Sequence, residues 1–132
     1  MSFFGKEYVF DRQENFEEFV NSLGITPEQA QGFLNYRPNQ KLLQNGDSYT
    51  MVTTTPETKK ELTFKSGVPF EEKVTDRTCQ TTFTVNGNIV TQVQKFDNGT
   101  DITFTREYSD NQLVLWNKYL RFYYMHIKWP FH

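Results

Sequence analysis

Beyond Pro38, short runs of alternating apolar and polar residues are punctuated by turn signals. These are Asn45-Gly46-Asp47, Pro56-Glu57, Ser66-Gly67, Asp76-Arg77, Asn86-Gly87, Asp97-Asn98-Gly99 and Ser109-Asp110-Asn111. A spacing of roughly ten residues is the rhythm of an antiparallel meander. The runs between are rich in Thr, Val, Phe and Tyr, which suit strands. With an opening strand at residues 6–12, the pattern predicts about ten strands. An open sheet of that size exposes two edges, so a closed barrel or flattened clam is expected.

Helical periodicity is confined to the region before Pro38. In residues 14–23, Phe16, Phe19, Val20 and Leu23 recur at i, i+3, i+4, i+7, and Gly24 stops the stripe. A second helix starts where Thr26 caps, Pro27 takes the first position and Gln29 completes a capping box. Ala30, Phe33 and Leu34 form its apolar stripe, and Pro38 prevents continuation past Arg37. Together they predict a helix-turn-helix at about residues 14–35.

Several strands do not divide into an apolar and a polar face. Segments 50–55, 78–84 and 89–95 place Thr and Gln where a dry core would hold Leu. A barrel of about ten strands encloses more space than side chains fill, so a part-polar lining implies a ligand cavity. A sandwich with one wet face is the alternative.

Composition narrows the classes. The 132 residues make one domain, spanning 1–132, and thirteen Phe and seven Tyr argue against disorder. Fourteen basic and sixteen acidic residues give a net charge of -2, which argues against a nucleic-acid grip on phosphates. No apolar run reaches the length of a membrane span, and residues 1–6 lack a signal-peptide pattern, so a cytoplasmic monomer is expected. Cys79 is alone, so no disulfide or cysteine zinc cluster forms, and it reads as a small buried strand residue. His126 and His132 are too few for a metal site. Asn98-Gly99-Thr100 reads as a hairpin turn, and Glu71-Glu72 and Lys59-Lys60 as solvated charges. With no phosphate loop, triad or paired carboxylates, the expectation is a protein that is not an enzyme and needs no cofactor or metal.

Arg106 is the exception to ordinary patterning. Ile102, Phe104, Arg106 and Tyr108 share one strand face, which sets a cation among apolar residues. A buried guanidinium needs a partner: an internal carboxylate, a snorkelling route to water, or the carboxylate of a ligand.

Lys6-Glu7-Tyr8-Val9-Phe10, Glu14-Asn15-Phe16-Glu17-Glu18-Phe19, Asn45-Gly46-Asp47-Ser48-Tyr49, Phe64-Lys65-Ser66-Gly67-Val68, Val85-Asn86-Gly87-Asn88 and Thr105-Arg106-Glu107-Tyr108 succeed one another without a gap. Over residues 1 to about 115 this series resembles the intracellular fatty-acid-binding protein family, in particular its insect midgut members. The resemblance implies a ten-stranded antiparallel clam capped by two short helices that form a portal. It implies cytoplasmic carriage of a long-chain fatty acid, with Arg106 holding the carboxylate. It further implies Phe16, Val20, Pro38, Met51, Thr53, Phe104 and Leu115 as lining positions.

The family's second anchor is an Arg-x-Tyr in the last strand, and this sequence departs from it. Aligned without a gap, the motif falls on Lys128-Trp129-Pro130; with a shortened last hairpin, it falls on Arg121-Phe122-Tyr123. A turn centred on Asp110 sets Arg106 opposite Val114, and a two-residue turn at Asn117-Lys118 sets Val114 opposite Arg121. That geometry favours Arg121 and Tyr123, with His126 and Lys128 as second choice. From Trp116 onward there is no acidic residue and seven of seventeen residues are aromatic, which fits either a lineage-specific end or a changed reading frame.

Two other readings compete. The cargo is a retinoid, carotenoid or bile-acid-like amphiphile, or the last strand is disrupted and the protein is a non-binding interaction variant. Between Glu14 and Leu34 there are four glutamates and no lysine or arginine, so anionic membranes should repel the portal and contact should be transient.

Overall fold

The computed structural model describes residues 3–14, 26–28, 31, 37–74, 77–97, 99–116 and 122–127, with residues 12–14 and 122–127 described as backbone. The strands are β1 (Glu7–Glu14), β2 (Asn39–Asn45), β3 (Ser48–Thr54), β4 (Lys59–Lys65) and β5 (Phe70–Val74), followed by β6 (Arg77–Asn86), β7 (Ile89–Phe96), β8 (Asp101–Tyr108), β9 (Gln112–Trp116) and β10 (Phe122–Ile127). All pairings are antiparallel, and the strands lie in the order β4-β3-β2-β1-β10-β9-β8-β7-β6-β5. The protein is thus mainly β, with β1 joining the first four strands to the last six.

The hairpins follow the turn chemistry of the sequence. Asn45 pairs with Ser48, and Asn86 with Ile89, so each turn has two residues beginning with a glycine. Gly46 and Gly87 both have a φ of 64°, a conformation that costs other residues strain and matches the twist of the flanking strands. The opening strand runs to Glu14 rather than stopping at residue 12, so position 14 belongs to β1 and not to a helix. Pro27, Glu28 and Gln31 have helical backbone, and the rest of the predicted helix-turn-helix lies outside the described residues.

The sheet folds back on itself. Arg106 on β8 reaches Gln40 on β2, although three strands separate these two in the sheet. The terminal strands β4 and β5 are not paired with each other, yet Lys60 on one meets Glu72 on the other at 2.9 Å. Phe64 on β4 stacks on Phe83 of β6 with centroids 4.4 Å apart, closing the same seam with apolar surface.

The core is built on that inner face from Tyr8, Leu42, Phe83, Val90, Tyr108 and Leu113, all essentially inaccessible to solvent. Rings run through it in sequence: Tyr108 on Phe3, Phe3 on Phe4, Phe4 beside Tyr49, Tyr49 on Phe64 and Phe64 on Phe83. β10 pairs with both β1 and β9, which removes the premise of a disrupted last strand.

Candidate functional site: a charged belt on the inner face

Burial alternates along the strands, as period-two side chains require when one face is covered. On β7 the buried positions are Val90, Gln92 and Gln94; on β2, Gln40 and Leu42, with Pro38 just before it; on β5, Glu72. The inner face is therefore apolar at some levels and polar at others. Thr81 and Arg106 belong to the same buried set.

Arg106 is only 8% exposed. Its Nε donates to Gln40 Oε1 at 3.2 Å and its Nη1 to Gln92 Oε1 at 2.7 Å. The guanidinium also lies 5.8 Å from the centre of the Phe83 ring, within cation–π range. Both amide acceptors are neutral, so they orient the fork and replace its hydration without cancelling its charge.

A second ionic group sits on the same face. Glu72 is 6% exposed; its Oε2 accepts from Lys60 Nζ at 2.9 Å, and its Oε1 accepts from Thr81 Oγ1 at 2.7 Å and Gln94 Nε2 at 3.3 Å. Burial pushes this carboxyl up, but the Thr81 and Lys60 hydrogen bonds, the Lys60 charge and the Gln94 amide outweigh it, so its pKa sits below the ordinary 4.5. Cys79 is buried beside this group, with its Sγ 3.4 Å from Thr81 Oγ1.

The two centres join into a belt. Gln92 serves Arg106 and Gln94 serves Glu72, and the two glutamines are alternate residues of β7. On the other side Gln40 pairs with Thr53 and Thr53 with Lys60, carrying the level from β2 across β3 to β4. Among the described residues this belt contains two cations, Arg106 and Lys60, and one anion, Glu72.

Of the predicted lining positions, Pro38 and Met51 are buried, Thr53 and Phe104 half-buried, and Leu115 lies directly opposite Arg106. Phe16 and Val20 lie outside the described residues.

The expected register of the last hairpins needs two corrections. Arg106 faces Leu115 rather than Val114, because Ser109 closes on Gln112 and the turn is centred between Asp110 and Asn111. Val114 faces Tyr124 rather than Arg121, because five residues, 117–121, and not two, connect β9 to β10. Tyr123 instead pairs with Leu115, which places its strand position on the Arg106 rung. His126 pairs with Gln112 and Val9, while Arg121 and Lys128 lie outside the described residues.

Glu72 and Lys60 also differ from expectation. Glu71 is solvated, but Glu72 is buried and paired, and the Lys60 side chain is half-exposed rather than free in water. The signal was present in the pattern: Glu72 lies two residues after Phe70, and Gln92 two after Val90, each on the covered face. No group of three or more His, Cys, Asp or Glu suited to a metal occurs among the described residues. No helix among them is long and apolar enough to cross a membrane.

An antiparallel sheet folded round a face that is part apolar and part charged is the architecture of β-sheet proteins that carry small amphiphiles. No family model matches the chain. It is 41% identical over 114 residues to fatty acid-binding protein 1 of Manduca sexta, covering 86% of each. It is 37% identical to fatty acid-binding protein 2 of the same insect, over 94% of this chain and 98% of that one. The solved structure of the fatty-acid-binding protein isolated from Manduca sexta superposes with a TM-score of 0.81 at 33% identity, over 97% of this chain and all of that one. The chain belongs to the fatty-acid-binding protein family. That family consists of carriers, and the chain is not an enzyme.

Proposed function

We propose that the protein carries a long-chain fatty acid through the cytoplasm, with the tail on the apolar part of the inner face and the carboxylate at Arg106. The observation that carries this reading is the buried Arg106 fork, held between Gln40 and Gln92 on a covered face. Burying each methylene is worth about 0.8 kcal/mol, so a sixteen-carbon chain offers roughly 11 kcal/mol before association costs. The tail supplies most of the affinity, and the guanidinium fixes which end lies deep. Names of the insect relatives support a fatty acid over a retinoid, carotenoid or bile-acid-like cargo.

For such carriage the proposed architecture is a ten-stranded clam capped by the helix-turn-helix at about 14–35, working as a monomer. Tyr123 is the preferred second contact, because its strand position shares the rung of Arg106 and Leu115. Four glutamates and no basic residue between Glu14 and Leu34 favour release through water over collision with anionic membranes. Native mass spectrometry of the purified protein, followed by titration of delipidated protein with oleate, retinol and cholate, tests the cargo. Retained or tightly bound fatty acid is expected; selective retention of either other class would overturn the assignment.

A further inference from the structure

The two carboxamides on the inner face of β7 are sorted by the charges they serve. Gln92 commits its oxygen to Arg106, accepting from Nη1 at 2.7 Å, which leaves its Nε2 hydrogens as the open end. Gln94 does the opposite: its Nε2 donates to Glu72 Oε1 at 3.3 Å, which leaves its own oxygen open. The charged partners fix both orientations, since a guanidinium only donates and a carboxylate only accepts. Neither open end has a partner among the described residues, and neither is sealed in. The enclosed side-chain polar atom without a partner there is the Tyr108 hydroxyl, while Gln92 and Gln94 keep 5% and 7% of their surface accessible.

The Gln94 oxygen is an acceptor with nothing of its own chain to receive. Of its cross-strand neighbours, the Thr81 side chain gives its proton to Glu72 and the Ile102 side chain has none to give. An unsubstituted acyl chain laid against this oxygen strips its water and returns nothing, a loss that Leu or Met at the position would avoid. The strand sets how far along a ligand this oxygen is met. Alternate residues stand about 6.6 Å apart, the reach of about five carbon–carbon bonds in an extended chain. Glu72 opposes a second carboxylate there, and its charge is already met by Lys60 at 2.9 Å, so the position suits a neutral donor.

We propose that Gln94 is a specificity-determining residue that accepts a hydrogen bond from a hydroxyl at about carbon 6 of the cargo, making hydroxylated long-chain fatty acids the preferred ligand class. The inference rests on the Arg106 anchor of the proposed function, which fixes the end from which the chain is measured. An oxo group at the same carbon has no proton to give and gains nothing from Gln94.

Calorimetry on delipidated wild type, Gln94→Met and Arg106→Gln compares stearate with its 6-hydroxy, 6-oxo and 12-hydroxy derivatives. Wild type is expected to bind 6-hydroxystearate about fivefold tighter than stearate, the scale of one neutral hydrogen bond, and the other two no tighter than stearate. Gln94→Met should remove that gain and leave stearate within about twofold, which also shows that the variant is folded. If Arg106→Gln loses stearate but 6-hydroxystearate gains nothing in wild type, the anchor stands and the inference fails. A gain that survives in Gln94→Met, or an equal gain for the 6-oxo or 12-hydroxy acid, also overturns it. Equal loss of stearate and 6-hydroxystearate in Gln94→Met makes Gln94 a packing residue and overturns it too. If stearate binds wild type and Arg106→Gln alike, the anchor fails and this inference fails with it.

Discussion

Arg106 and Glu72 are two charges buried to nearly the same degree on one inner face, and their surroundings differ in kind. Glu72 is met by a cation, a hydroxyl and an amide of its own chain, and its pKa is held low as a result. Arg106 donates to two neutral carboxamides. An internal ion pair of the first kind holds strands together; here Lys60 and Glu72 link β4 and β5, the two strands that do not pair. The Gln40 and Gln92 carboxamides orient the Arg106 fork without carrying charge themselves. The comparison sets a charge pair that links two strands against the cation that the proposed function uses as its anchor.

Exchanging the losses gives the largest expected effects. Arg106→Gln should weaken oleate binding about a hundredfold, the upper range for hydrogen bonds between charged groups, while stability in urea falls by less than about 1 kcal/mol. Glu72→Gln should do the reverse. Stability falls by about 2 kcal/mol as Lys60 loses its counter-charge, and oleate affinity stays within about threefold. Comparable binding losses in both variants would erase the distinction.

A smaller effect is expected with pH. The folded protein holds the Glu72 pKa below its ordinary value, so the unfolded chain takes up this proton first as pH falls. The stabilisation is therefore fully present above about pH 5 and is lost as pH drops through the lowered folded pKa. Urea midpoints between pH 6 and 3 should fall less steeply in Glu72→Gln than in wild type. Parallel slopes would assign the acid sensitivity elsewhere.

Gln92→Leu sharpens the Arg106 side. It removes the 2.7 Å acceptor of Nη1 and should cost about 1–2 kcal/mol of stability, with a modest loss of oleate affinity. Lys60→Met leaves the buried Glu72 carboxylate without its cation and should cost about 1–3 kcal/mol in urea. An unchanged urea midpoint there would mean that the Lys60–Glu72 pair does not hold the seam.

Much of this was legible in the sequence because strands and hairpin turns are local. Asn45-Gly46 and Asn86-Gly87 announce two-residue turns, and the alternation around Arg106 places it on the Phe104 face whatever the rest of the chain does. Legibility ended where a single residue of loop length decides a pairing. Moving the last turns by one and three positions exchanged Val114 for Leu115 and Arg121 for Tyr124, since register follows loop length directly. Glu72 was misread for another reason. A carboxylate beside another in sequence looks solvated, and only the fold brings Lys60, twelve residues earlier, and Gln94, twenty-two later, to the same oxygen pair. The Gln40 contact with Arg106 spans 66 residues and has no local signature.

Carbon NMR of bound oleate labelled at the carboxyl tests the anchor most directly. A carboxylate gripped by the Arg106 guanidinium stays ionised, so its resonance should remain unshifted from pH 8 down to about pH 4 in wild type and should titrate in Arg106→Gln. A bound carboxyl that titrates like an exposed fatty acid in both proteins would place the headgroup in solvent and contradict the account.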